Sequence, residues 1–379
     1  MKKIPVSWPY LDFKEALAAK KVLKEGWLGM GTYVEEFEKK IQNYLNNKRK
    51  YVCCVSTGSD ALLMCLLIAN VKRNDEVILP SLNFIASAQA IKACGANPVF
   101  CDVDEKTLCI DIKKVRQLIS KKTKAIISVD YSGNIANYKE LNKIKKQYNH
   151  IRIIQDAAHS FGSCFRNKIV GTFSDIVMLS FDPIKTITSI DGGAIIVNNT
   201  FELKKLREIR QLGLSVQPNV AFLQNKKIDS DVKSLGFQNR MTNIHAAIGI
   251  EQIKKIKYII KEKKKLSKNY NRLFNNNSNI LIPNSDSNNM VPFIYYIRVD
   301  KRIRNDLRKY LQKNNIMTAI HWYPNHLYSF FNKDKRSSMN VTNKVAKELI
   351  SIPYFVGLSK EKQLKICSLI NSFFKKRAK

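Results

Sequence analysis

Short β-branched and apolar runs recur through the first half of the chain, at 51–55 (YVCCV), 76–79 (EVIL), 98–101 (PVFC), 125–130 (AIISVD), 152–155 (RIIQ), 175–179 (DIVML) and 193–197 (GAIIV). They are near-continuously apolar rather than alternating, the pattern of strands covered on both faces. Segments with helical spacing fall between several of them, at 60–70, 86–94, 112–120 and 138–148. This alternation predicts an open α/β sheet, seven-stranded and mostly parallel, with helices on both faces.

The pattern changes after Gly236. A long helical segment begins near Thr242, with Ile248, Ile253, Ile256, Ile259 and Ile260 at helical spacing, and an Asn-rich stretch follows at 275–289. Mixed strands and helices run on from there. The expected organisation is a large α/β domain with an N-terminal arm, residues 1–245, and a smaller α+β domain, residues 246–379. The chain's 379 residues and 45% hydrophobic content suit two cored domains and exclude a wholly disordered protein. No apolar run approaches the roughly 18 residues of a membrane-spanning helix. The N-terminal MKKIPVSWPYLDF has lysines but no apolar stretch behind them, so a soluble, cytoplasmic protein is expected.

Composition then adds a strong charge, +34. Nucleic acid is one candidate partner for such a surface. Against it, only 15 of the 65 basic residues are Arg, the side chain that forks onto phosphates and base edges. The lysines are also dispersed, with one dense run at 261–265 (KEKKK). A polyanionic small substrate drawn in by the field fits equally well. Eight cysteines are scattered without a CxxC pair, mostly in apolar runs, so reduced thiols are expected and a zinc site is not.

Three stretches carry candidate chemistry. Ser56-Thr57-Gly58-Ser59-Asp60 joins the first strand to a helix, where backbone N–H groups can hold a phosphate; the same turn also reads as an ordinary cap by Ser59 or Asp60. Asp156 and His159 lie in IIQDAAHSFGS, at a strand's carboxyl end, where open α/β sheets bind ligands. Asp156 there either holds a protonated ring nitrogen, orients a base, or caps the next turn. Lys185 lies in a loop between two buried strands, MLSFDPIKTITSIDGGAIIV. It is either a desolvated amine, activated as a covalent nucleophile, or a solvent-facing lysine among many.

The order of these features resembles the fold-type I pyridoxal-phosphate enzymes. More narrowly, the chain is similar to the DegT/DnrJ/EryC1/StrS sugar aminotransferase family. The likeness is carried by KEGWLGMGTYVEEFEKKI (24–41), STGSDALLMCLL (56–67), DEVILPSLNFIASAQAIKACGANPVFCDVD (75–104), QDAAHSFGS (155–163), SFDPIKTITSIDGGAI (180–195), GFQNRMTNIHAAIGIEQI (236–253) and IHWYPNHL (320–327).

The resemblance implies pyridoxal 5'-phosphate as cofactor and assigns roles to matched residues. Lys185 matches the lysine that forms the Schiff base, and Asp156 the carboxylate that keeps the pyridine nitrogen protonated. His159 matches the contact to the phenolic oxygen, and Phe84 the aromatic that stacks on the ring. Ser180, with Gly58, Ser59 and Asp60, matches the phosphate cup. Gln238 stands where the family has an Asn reaching the neighbouring subunit's phosphate site, and Asn239 is beside it. Gln155 replaces the usual Glu, and Tyr131-Ser132-Gly133-Asn134 departs from His-x-Tyr-Gly. The implied activity is transfer of an amino group from an amino acid such as glutamate to a nucleotide-diphosphate keto sugar, for surface polysaccharide. The implied assembly is a homodimer with shared sites. A related sugar dehydratase is the alternative within the family, and Lys185 argues against it because those relatives carry His there. Metal, nucleic-acid and membrane partners are not expected.

Overall fold

A computed structural model describes residues 3–215, 231–283, 289–331 and 337–377. Helices α1 (Phe13–Glu25) and α2 (Thr32–Leu45) precede the first strand, β1 (Tyr51–Val55). Then come α3 (Gly58–Ile68), β2 (Glu76–Pro80), α4 (Ala86–Ala93), β3 (Asn97–Cys101), α5 (Ile112–Leu118), β4 (Thr123–Val129), α6 (Tyr138–Gln147) and β5 (Arg152–Asp156). A small hairpin, β6 (Cys164–Phe165) and β7 (Lys168–Ile169), leads to β8 (Ile176–Ser180), β9 (Gly193–Val197) and α7 (Thr200–Ile209).

All seven predicted strands pair in one sheet, in the order β1-β9-β8-β5-β4-β2-β3. Only β9 runs against its neighbours, β1 and β8. The reason for continuous apolar runs is visible in the packing. Alternate residues of each strand enter different cores: Cys53, Val55, Ile154, Ile176 and Met178 face α3, α4 and α7. Val52, Cys54, Val177 and Leu179 face α2, while Ile78, Val99, Ile126 and Ile153 face α5 and α6. Both faces are therefore dry, as a largely parallel sheet requires.

The isoleucine-rich segment is broken into two helices, α8 (Asn243–Lys254) and α9 (Ile256–Phe274), at Lys255. The apolar spacing continues across the junction because both helices bury isoleucines, but α8 packs on α1 and α2. The remaining elements are β10 (Tyr295–Arg298), α10 (Arg304–Lys313), α11 (Asn340–Glu348), β11 (Leu349–Ile352) and α12 (Lys360–Arg377). β10 and β11 pair antiparallel, and with α9, α10 and α12 they enclose a separate core that also takes in Ile4. No described helix is long and apolar enough to cross a membrane. All eight cysteines are free thiols, and no described group of His, Cys, Asp and Glu is arranged to hold a metal.

Candidate active site

Neighbouring strands bring the first two candidates together. β5 ends at Asp156 and β8 at Ser180, and the two strands are hydrogen-bonded with Asp156 opposite Met178. β1 opens onto the Ser56–Asp60 turn beside them. The helix cap is Thr57, not Ser59 or Asp60. Its backbone is extended and its Oγ1 accepts from the Asp60 N–H at 3.0 Å, which is what an N-cap needs one residue before the helix. The Asp60 carboxylate turns back instead, accepting from the hydroxyls of Ser56 (2.6 Å) and Thr57 (2.8 Å). Two glycines permit this close assembly. A Cβ on Gly58 would lie 2.8 Å from Ser180 Oγ, and one on Gly193 would lie 2.4 Å from the Thr57 carbonyl.

The result is a cavity of about 580 Å³ at the sheet's carboxyl end, in the size range of small-molecule sites. Gly58, Ser59, Phe84, Asp156, His159, Ser180 and Lys185 all line it. Asp60, Gln238 and Asn239 do not. Gln238 pairs with Gln211, and Asn239 uses its backbone carbonyl to accept from Ser56 N–H at 3.0 Å. The Asn239 side-chain nitrogen is buried with no hydrogen-bond partner.

Burial shapes the charges. Asp156 is buried, and loss of water raises its proton affinity, opposed by the Ala158 N–H (3.1 Å to Oδ1), the Lys185 amine and the Ser87 hydroxyl (3.5 Å to Oδ2). Burial likewise pushes the Lys185 ammonium down to about 8, against the pull of Asp156 and Asp182. His159 is held well below its ordinary range by burial and by the cationic influence of Lys185 and His321, so its imidazole is neutral at pH 7. Its Nδ1 is buried without a partner. The His159 ring stacks on Phe293 at 4.3 Å, and the Lys185 amine sits 4.2 Å from the centre of the same Phe293 ring.

Some members of the site were not singled out from the sequence. Ser87 holds Asp156, and Trp322 lines the cavity 5.0 Å from the Phe84 ring, its Nε1 buried and unpartnered. Both fall inside stretches that carried the resemblance, LNFIASA and IHWYPNHL, which was the available signal. Phe293 had none, because its place under His159 depends on a contact between distant parts of the chain.

A seven-stranded, mostly parallel sheet with a lysine, an aspartate and a helix N-terminus converging at its carboxyl end defines an α/β enzyme of the transferase type. The chain belongs to the DegT/DnrJ/EryC1/StrS aminotransferase family, which it matches over residues 9–371. It is 32% identical over 375 residues to a GDP-perosamine synthase of Escherichia coli O157:H7, covering 99% of each protein. Among solved structures it resembles PseC of Helicobacter pylori, an aminotransferase involved in the biosynthesis of pseudoaminic acid. There the TM-score is 0.90 at 25% identity, over 99% of this chain and 100% of that one. NtdA of Bacillus subtilis, solved with bound cofactor PMP, matches with a TM-score of 0.86 at 26% identity, over 96% of this chain and 82% of that one.

Proposed function

We propose that the protein is a pyridoxal-phosphate-dependent aminotransferase that aminates a keto sugar carried on a nucleoside diphosphate, with an amino acid such as glutamate as donor. The observation that carries this reading is the meeting of Lys185, Asp156 and the α3 N-terminus in one cavity. The residues fit the cofactor. Gly58, Ser59 and Ser180 offer hydroxyls and helix-terminal N–H groups to a phosphate. The unpartnered His159 Nδ1 is open to a ring oxygen, and Asp156 is a buried acceptor for a ring N–H. Phe84, half-exposed at the cavity, is the aromatic lid.

Pyridoxal phosphate, when bound, supplies an electron sink for the substrate carbon that loses its proton. The chain's own residues do the rest. Asp156 keeps a proton on the ring nitrogen through a charge-assisted bond, made stronger by the dry site. Lys185, its ammonium lowered to about 8, presents a neutral amine in a fraction that grows as pH approaches that value, and moves the proton on and off at Nζ. His159 remains uncharged and orients the ring without adding a second cation. Phe84 and Trp322 form an aromatic wall of the cavity, and Phe293 packs beneath His159.

Three further elements belong to the same proposal. The smaller part of the division into residues 1–245 and 246–379 is supported by the separate core around β10 and β11, while α8, at the boundary, packs on α1 and α2. A homodimer in which Gln238 or Asn239 serves the partner's phosphate site is supported by apolar side chains exposed on the N-terminal arm and α1, Trp8 at 63% and Phe13 at 67%. A role in surface polysaccharide is supported by likeness to the spore coat polysaccharide biosynthesis protein SpsC of Bacillus subtilis, 25% identical over 365 residues, 94% of this chain and 93% of that one. The test is a panel of GDP-, UDP- and dTDP-linked keto sugars with glutamate, reading 2-oxoglutarate and the aminated sugar by mass. GDP-linked sugars head the panel because of the kinship with a GDP-perosamine synthase. Absence of amino transfer to every nucleotide sugar, with any donor, would overturn the proposal.

A further inference from the structure

Asp130 follows β4 at the same end of the sheet and is fully buried. Its carboxylate receives four donors. Oδ2 accepts from Gln155 Nε2 at 2.6 Å and Ser160 Oγ at 2.7 Å. Oδ1 accepts from the Ala136 N–H and the Tyr138 hydroxyl, both at 3.1 Å. The Asp130 N–H in turn donates to the Asp156 carbonyl at 3.1 Å. No described cation pairs with this carboxylate; neutral donors alone satisfy it.

The four donors belong to two segments. Gln155 and Ser160 flank the turn that carries Asp156 and His159. Ala136 ends the loop 131–136 and Tyr138 opens α6 just beyond it. From that loop Tyr131 donates to the His321 carbonyl and sets its ring edge-on to His159 at 6.2 Å, while Ser132 donates to the Ile294 carbonyl at 2.6 Å. One buried carboxylate thus joins the turn carrying Asp156 and His159 to the segment that follows Tyr131. When ionised such a group accepts only, so an amide in its place turns a donor toward Gln155 or Tyr138.

We propose that Asp130 is a positioning residue: its carboxylate, through Gln155 and Ser160, sets the turn that aims Asp156 and His159 at the cofactor. Gln155 is the matching donor, which accounts for an amide where the family has an acid. This rests on the reading of Asp156 and His159 as cofactor residues. Exchanging the acid and the amide across the same gap keeps one donor facing one acceptor.

The test compares Asp130→Asn with the exchanged double variant Asp130→Asn/Gln155→Glu, and uses Asp156→Asn as a control. Apo protein is titrated with pyridoxal phosphate by absorbance, and kcat and KM are measured for the amino donor. Losing an acceptor in a buried network predicts about tenfold weaker cofactor binding and about tenfold lower kcat for Asp130→Asn, with donor KM nearly unchanged. The double variant recovers most of both losses, which a merely structural role for the position does not predict. Wild-type affinity and kcat in Asp130→Asn, or a folded double variant no better than the single one, overturns the proposal. If Asp130→Asn does not fold, the double variant decides alone by the same readings. An Asp156→Asn protein with normal binding and turnover would instead sink the cofactor reading itself.

Discussion

At the scale of single residues, burial decides what each ionisable group can do. Lys185 has an ammonium pushed down to about 8, so its neutral amine becomes abundant as pH rises through that value. Capture of pyridoxal phosphate by the apo protein is therefore expected to accelerate from pH 7 to pH 8.5 and to level off above; stopped-flow absorbance checks it. A rate that falls over this range contradicts the neutral amine as the attacking group. The same shift has a stability consequence of the opposite sense to an ordinary salt bridge. A lysine whose folded-state pKa is depressed binds fewer protons when folded, so its contribution to stability grows as pH rises from about 8 toward its usual 10.5. Asp156→Asn preserves shape but loses the charge proposed to face the ring nitrogen. Turnover should fall by about a hundredfold or more, the usual scale for a misplaced proton in acid–base chemistry, while phosphate-anchored cofactor binding falls less. Asp130 and Gln155 show why part of the site was not legible: their hydrogen bond joins residues 25 positions apart. No local pattern marks it, and Gln155 stood out only as a departure.

At the scale of elements, the strands were legible because each has to be apolar on both faces, and that leaves a continuous run that few helices imitate at such short length. Helix starts were less so. The α3 cap lies at Thr57 rather than at the more polar-looking Ser59 or Asp60, because the cap is chosen by the extended backbone leaving β1. Thr57→Ala should cost about 1 kcal/mol of stability by urea denaturation and loosen the cofactor's phosphate end. The break at Lys255 was hidden for a different reason: isoleucines continue at helical spacing through both α8 and α9. Helix α2 is fastened by charge. Glu38 accepts from Arg210 at 2.6 Å and from the Cys54 N–H at 2.9 Å, and Arg210 also donates to the Cys54 carbonyl at 2.7 Å. Glu38→Ala leaves a buried guanidinium without its counter-ion and should destabilise the fold by about 3–5 kcal/mol. A change below 1 kcal/mol would mean that water reaches Arg210 at little cost.

At the scale of the whole molecule, the proposed polyanionic substrate would give the charge of +34 a use. A nucleoside-diphosphate sugar carries more negative charge than a free amino acid. Its kcat/KM should therefore fall with added salt more steeply than that of the donor half-reaction, measured separately under single-turnover conditions. Equal slopes would remove the role assigned to the field. The fold itself, its class and its family were legible from the chain, because motifs spread over nearly all of it had to coincide in order.

Lys185 is the residue proposed to hold the cofactor, and it lines the same cavity as Asp156. The most direct measurement is borohydride reduction of the purified, cofactor-loaded protein followed by peptide mass analysis. The predicted result is a single pyridoxyl modification, on Lys185, absent from Lys185→Ala. A modification on any other lysine, such as the buried Lys263, or retention of the label in Lys185→Ala, would contradict it.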